Sequence, residues 1–348
     1  MEAQKNIRLL DLNEIKAFFS EIGEKPFRAK QVYEWLWKNS AMSFDDMSNL
    51  SLDLRNKLKD NFTLPSVKIK TSQISVDKTI KNAFELVDGN IVEGVLIPSK
   101  TRMTACISSQ VGCSLTCKFC ATGKLKRLRN ISFDEIVDQV AHIKRQAEEN
   151  YNRPLTNIVY MGMGEPLLNY KGMMDSIDKI TAPDGLAMSP KRITVSTAGI
   201  AKMIMKLGDD RVKFNLALSL HAANDKKRDH IMPINEQNSL ASLAEALIYF
   251  HEKTDSRVTF EYIVFKDFND SLEDASELAQ FSRNIPCKIN IIEYNPIDDS
   301  GEFEQTTPER LDAFVKFLED RNIIVNVRRS RGKDIDAACG QLANKLKQ

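Results

Sequence analysis

The chain has little cysteine, no excess of charge of either sign and no long apolar run. Its 348 residues hold six cysteines, too few for a disulfide scaffold. The 49 basic and 48 acidic residues leave a net charge of +1, so any nucleic-acid site must be a local basic patch. No stretch approaches the roughly 18 apolar residues of a membrane span. The start, Met1-Glu2-Ala3-Gln4-Lys5, is charged and leads into no apolar segment, so no secretory signal and a cytoplasmic location are expected. There is no internal repeat of solenoid length and no low-complexity tail. What is present is ordinary for a soluble globular protein: 42% hydrophobic and 28% charged residues. At roughly 100–200 residues per domain, the length allows two or three domains.

The organisation changes twice along the chain. Residues 1–62 read as a small helical domain with its own core. Leu10, Leu12, Ile15, Phe18, Phe19 and Ile22 recur at helical spacing, as do Val32, Tyr33, Trp35, Leu36 and Trp37. Ser43-Phe44-Asp45-Asp46 resembles a helix start with Ser43 as its N-cap. Residues 63–101 read as a β extension, with Asp88-Gly89-Asn90 a turn between two strands. From 102 to 348, strands and amphipathic helices alternate. Strands are expected at 104–108, 157–161, 192–196, 213–220, 258–265, 288–294 and 323–327. Helices are expected to start at the capping box Ser132–Glu135 and to cover 200–208, 238–253, 271–283 and 307–320. This rhythm predicts an α/β fold with a parallel sheet, either closed as a barrel or open. Ligand sites in such folds gather at the C-terminal strand ends. Polar sequence recurs there at Gly162–Glu165, Ser196-Thr197, Ser219–His221 and Asn295-Pro296.

Three of the six cysteines fall within eight residues: Cys113, Cys117 and Cys120, spaced C-x3-C-x2-C in a loop after the first core strand. Three thiolates on a four-iron cluster leave one iron open for a small molecule, as a catalytic centre needs. A zinc knuckle completed by Cys106 or a histidine is the structural alternative.

The C-x3-C-x2-C spacing in this setting resembles the radical S-adenosylmethionine (SAM) superfamily. The stretch from Cys106 through Gly123, the run Met161–Asn169, Ser219-Leu220-His221, Met232–Asn235 and Asp334–Leu342 together resemble the RlmN/Cfr family of radical SAM RNA methyltransferases. The resemblance spans nearly the whole chain. It implies a partial (β/α) barrel of the radical SAM type, with an N-terminal small helical domain and a β extension, in a monomeric enzyme. It implies a [4Fe-4S] cluster on Cys113, Cys117 and Cys120, and two SAM molecules per turnover. By the same resemblance, Gly164, Glu165, Ser196, Ser219, Leu220, His221 and Asn295 bind SAM. The substrates would be 23S rRNA and tRNA, and the electron donor flavodoxin-like. Pro166 favours methylation at C2 of adenosine; relatives that methylate C8 carry alanine there.

Adenine C2 is electron-poor and bears an inert C–H, so the methyl must be carried and activated as a radical. Cys339 is the implied carrier, a thiolate that takes a methyl from SAM. Cys106 resembles the resolving thiol that attacks the Cys339 sulfur and leaves a disulfide. Glu93 is the implied proton acceptor at C2, placed in the apolar run Ile91–Val95. Cys287 matches no motif and reads as a small core hydrophobe. Lys118, Lys124, Lys126, Arg127 and Arg129 give five cations in twelve residues with no acid; Arg328, Arg329, Arg331 and Lys333 form a second run before Cys339. Both read as phosphate contacts, and the helical domain as a further RNA contact by resemblance. A non-catalytic, metal-stapled RNA-binding protein and a radical SAM activase of a protein partner are the competing readings. The activase reading leaves Cys106, Cys339 and the basic runs without a purpose.

Overall fold

The computed structural model describes residues 4–298 and 302–345, so the charged start at Met1–Ala3 lies outside it. One sheet of ten strands organises the chain: β1 Lys68–Ile74, β2 Ile80–Glu85, β3 Ile91–Pro98, β4 Met103–Cys106, β5 Asn157–Tyr160, β6 Ile193–Thr197, β7 Asn215–Ser219, β8 Val258–Val264, β9 Cys287–Glu293 and β10 Val325–Arg328. Their order across the sheet is their order in sequence. β1 to β4 form an antiparallel meander. From β4 to β10 every pairing is parallel. The turn expected at Asp88–Asn90 joins β2 to β3, with Gly89 at φ 80°. All seven strands expected after residue 102 are present, each within two residues of its expected limits.

Parallel neighbours that follow one another in sequence need crossovers of one hand, which places their helices on one face. Those helices are α4 Phe133–Tyr151, α5 Tyr170–Thr181, α6 Ala201–Asp209, α7 Asp225–Ile231, α8 Leu240–Thr254, α9 Leu272–Ser282 and α10 Pro308–Glu319, after α1 Leu12–Glu21, α2 Pro26–Trp37 and α3 Leu52–Asn61. Alternation along β8 shows the two faces. Phe260 and Tyr262 pack on Phe281 of α9 and Phe314 of α10, at 5.6 and 5.5 Å between ring centres. Glu261 and Ile263 instead line a cavity. The winding is that of a barrel, yet β1 and β10 end the sheet without pairing to each other, so the barrel is partial.

Helices α5 and α7 were not expected. In α7, Asp225-Lys226-Lys227-Arg228-Asp229-His230-Ile231, only Arg228 and Ile231 are buried, so no apolar period marks it. The start expected at Ser43 makes a capping box but only a single 3-10 turn, Phe44–Asp46; the following helix, α3, begins at a second cap, Ser51.

The core of the helical region runs on into the main core, its buried side chains from Ile7 to Leu58 continuous with it. Trp37 stacks on Phe133 at the start of α4. Arg8 is buried and pairs with Asp138 of α4 at 2.8 Å, while also donating to the Ala41 carbonyl at 2.9 Å. About sixty residues bury too little surface to stand alone easily, and docking on α4 supplies the remainder.

Candidate functional site

A cavity of about 380 Å³ opens at the C-terminal ends of the parallel strands. Cys106 ends β4 and faces it. The chain then loops out and brings Cys113, Cys117 and Cys120 to the same cavity. Gly112 makes this loop possible: it sits at φ 74°, and a Cβ there would stand 2.2 Å from the Lys126 carbonyl oxygen. The Cys120 amide donates to the Cys117 carbonyl at 3.2 Å and the Lys118 amide to the Ile231 carbonyl at 3.0 Å, which pins the triplet against α7. Cys339, far along the sequence, lines the same cavity. Five of the six cysteines therefore meet, while Cys287 lies apart, as expected for a packing residue.

Burial sets the state of these thiols. It pushes Cys113 up to about 11 and Cys106 up to about 12, and raises Cys117 and Cys120 as well. Neighbouring thiols add to the shift. Free thiolates are therefore disfavoured, but bound iron takes the place of the protons. Three converging sulfurs are the soft donor set an iron–sulfur cluster takes.

The other expected residues divide into two groups. Gly164, Glu165, Ser196, Ser219 and His221 line the cavity. Gly164 sits at φ 94°, where a Cβ would meet the Gln110 side chain at 2.4 Å. The Glu165 carboxylate is buried and accepts from the Leu167 amide at 3.0 Å and the Ala198 amide at 2.8 Å; burial raises its pKa. The Ser196 and Ser219 hydroxyls stand 3.4 Å apart. His221 Nδ1 accepts from the Ile263 amide at 3.0 Å, and burial, aided by the charge of Arg228, drops its pKa to about 3. His221 is thus neutral, with Nε2 carrying the proton.

Leu220, Asn295 and Glu93 do not line the cavity. The Leu220 side chain is core, and its carbonyl accepts from Arg228 Nε at 3.1 Å. Asn295 donates instead to the Cys339 carbonyl at 3.4 Å. Glu93 is fully buried and accepts from the amides of Ala343 and Asn344.

Arg228 was missed by sequence reasoning. It is fully buried behind the cavity and donates to the carbonyls of Ala198 at 2.6 Å, Ser219 at 3.2 Å and Leu220, and to Asn235 Oδ1 at 2.6 Å. It ties the ends of β6 and β7 together and gives Asn235 of the Met232–Asn235 motif its purpose. The signal was an arginine amid Asp225, Asp229 and Asn235, which reads as solvated helix.

The basic runs are partly committed elsewhere. Arg129 is held by Asp88 and Glu135, Arg329 and Lys333 by Glu293, and Arg328 by Glu261 at 2.8 Å. Arg328 lines the cavity near both Cys106 and Cys339, and its charge opposes the rise of the Cys106 thiol. Lys126 and Arg127 stay exposed.

Fold and site together define a radical SAM enzyme, and residues 107–279 match the radical SAM superfamily. Residues 5–64 match the ribosomal RNA large subunit methyltransferase N-terminal domain. A probable dual-specificity RNA methyltransferase RlmN of Cytophaga hutchinsonii is 62% identical over 98% of this chain and 93% of its own length. The dual-specificity RNA methyltransferase RlmN of Geotalea uraniireducens is 43% identical over 98% of this chain and 97% of its own. A radical SAM methyltransferase from Sphaerobacter thermophilus superimposes with a TM-score of 0.92, at 38% identity, over 97% of this chain and 99% of that one. The chain belongs to the RlmN family of RNA methyltransferases. It is therefore a radical SAM enzyme that uses a [4Fe-4S] cluster and SAM and acts on RNA. The activase and the non-catalytic binder are set aside. Among the described residues no helix is long and apolar enough to cross a membrane.

Proposed function

We propose that this enzyme methylates C2 of adenosine in 23S rRNA and in tRNAs, through Cys339 as methyl carrier. One observation carries the reading: Cys106 and Cys339 line the same cavity as Cys113, Cys117 and Cys120. A methyltransferase without a protein carrier has no use for two further thiols at that place.

Cys113, Cys117 and Cys120 would hold the cluster. Gly164, Glu165, Ser196, Ser219 and His221 line the space SAM would take, where Glu165 would accept from its amino group and neutral His221 could offer Nε2–H. Leu220 and Asn295 shape this wall from behind rather than by side-chain contact with the cavity. Cluster and SAM, when bound, supply reductive cleavage of SAM to a 5′-deoxyadenosyl radical.

The chain's own residues do the rest. Cys339 takes a methyl from one SAM by nucleophilic attack of its thiolate. Its S-methyl group would give up a hydrogen atom to the 5′-deoxyadenosyl radical, and the carbon would then add to C2. Glu93 would accept the C2 proton and the oxidised cluster the one electron in excess. The Cys106 thiolate would attack the Cys339 sulfur, so that the released carbon takes a proton, the methylated base is freed and a Cys106–Cys339 disulfide is left. The Arg328 guanidinium stands where its charge favours the Cys106 thiolate. Lys126 and Arg127 contact phosphate. A flavodoxin-like reductant, a monomeric state and a cytoplasmic location complete the reading.

The test is anaerobic reconstitution with iron and sulfide, followed by assay with SAM, reductant and adenosine-containing rRNA and tRNA fragments. 2-methyladenosine and 5′-deoxyadenosine are the expected products. 8-methyladenosine would move the assignment to C8, and SAM cleavage without any methylated RNA would overturn it.

A further inference from the structure

The segment that carries Cys339 is gripped on both limbs by the two partners of one buried ion pair. Lys81 on β2 lies opposite Val95 on β3, and Glu93 is two residues from Val95, so the two are diagonal neighbours on one face of the hairpin. Lys81 Nζ stands 3.0 Å from Glu93 Oε1, with both side chains at most 2% exposed. The ammonium also donates to the carbonyls of Ile335 at 3.4 Å and Asp336 at 3.2 Å. The other carboxylate oxygen accepts from the amides of Ala343 at 2.9 Å and Asn344 at 3.2 Å. Cys339 lies between these limbs.

The segment has little backbone bonding of its own. It holds one 3-10 turn, Lys333–Ile335, and its residues Gly332, Asp336 and Gly340 all have positive φ. Within the segment Ala337 donates to the Gly332 carbonyl at 2.9 Å, and Lys345 pairs with Asp336 at 2.7 Å across the two limbs. Further ties go to outside groups. Asp334 accepts from Ser75 Oγ at 2.5 Å, Gly332 donates to Asp77 at 3.0 Å, and Ala121 donates to the Gly340 carbonyl at 2.7 Å.

A buried ion pair is by itself a poor stabiliser, because desolvation offsets the attraction. What this pair offers is polarity matched to each limb: a donor for two carbonyls and an acceptor for two amides. We propose that Lys81 is a positioning residue that, with Glu93, clamps the carrier segment and fixes where Cys339 stands while it takes its methyl. Glu93 in this clamp does not reach the cavity, so its jaw releases residues 343–344 before the carboxylate meets a base. The clamped form is the methyl-loading form. This rests on Cys339 as the carrier.

The test uses the reconstituted full-length enzyme. Hydrogen exchange is followed in peptides spanning 332–345, and methyl on Cys339 is measured by mass spectrometry with SAM and no RNA. Lys81→Met is expected to speed exchange at 333–337 on the order of tenfold, and Glu93→Ala to do so at 342–345, while core strands and iron content stay unchanged. Lys81→Met should also slow methyl loading on the order of tenfold. Glu93→Gln keeps an acceptor for the two amides and should protect the distal limb. The swap Lys81→Glu with Glu93→Lys keeps the pair but faces each limb with the wrong polarity, so it should not restore protection.

Wild-type exchange in Lys81→Met or full rescue by the swap would overturn the clamp. If Lys81→Met does not fold, Lys81→Gln and Glu93→Ala carry the same comparison. A wild-type enzyme with no methyl on Cys339 overturns the carrier reading instead, and the exchange data then judge the clamp alone.

Discussion

The amide of Ala121 donates to the carbonyl of Gly340 at 2.7 Å, so the residue after the third clustered cysteine is bonded to the residue after Cys339. Thr122 Oγ1 adds a bond to the Leu342 carbonyl at 2.7 Å. The loop of Cys113–Cys120 and the segment around Cys339 are thus one bonded unit, although more than two hundred residues separate them in the chain.

In the proposed scheme the thiols of that unit have separate tasks. Cys339→Ala is expected to keep its iron and sulfide but to carry no methyl and to make no methylated RNA. Mass spectrometry of the wild-type enzyme that finds the methyl on another residue would remove Cys339 from the scheme.

Replacing any one of Cys113, Cys117 or Cys120 by Ala should lose the cluster, because in the proposed ligand set each supplies one of only three protein sulfurs. Iron and sulfide content with the visible absorbance decides it. Full retention in all three variants contradicts the ligand set.

Cys106→Ala should still load methyl on Cys339 and add it to adenine, then stall. Without the Cys106 sulfur nothing cleaves the bond between base and carrier, so a protein–RNA crosslink should survive denaturation and high salt, where phosphate contacts fail. A denaturing gel of the variant isolated with its RNA reads this directly. An intact cluster with no covalent RNA would falsify the resolving role.

Arg228→Met should destabilise the fold by about 3 kcal/mol or more, since it leaves three carbonyls and Asn235 Oδ1 without their buried donor. The denaturant midpoint of the reconstituted enzyme measures it. A loss below about 1 kcal/mol means water has replaced the guanidinium.

His221 gives a pH signature. Its folded pKa, about 3, lies below the unfolded value near 6.5, so the unfolded chain binds the proton first as pH falls. Its stabilising contribution is complete above pH 6.5 and is lost progressively toward pH 3, at about 1.4 kcal/mol per unit. Denaturant midpoints between pH 7 and 5 should therefore fall more steeply for the wild type than for His221→Gln. Equal slopes would show that His221 titrates normally.

Elements were legible where apolar period and caps agree. Ser132–Glu135 marks α4 because the Glu135 carboxylate reaches back to accept from the Ser132 amide and hydroxyl, and β8 reads from Val258-Thr259-Phe260 because both of its faces are covered. Helix α7 was not legible, because its buried face is an arginine and one isoleucine. That the N-terminal core runs on into the main core was not legible, because local spacing does not reveal that Trp37 finds Phe133.

The cysteine triplet, its glycine-dependent loop and the alternation of strand and helix belong to the sequence alone, since short-range spacing and covalent geometry dictate them. The tertiary structure decided the rest. It chose an open barrel over a closed one, turned Arg129 and Arg328 into partners of buried or half-buried carboxylates, and placed Glu93 under the carrier segment rather than in the cavity. Each of these depends on which distant group satisfies a buried charge. That is settled by the packing of strands and loops remote in sequence, because a charge taken out of water takes whatever partner the fold brings within hydrogen-bond reach.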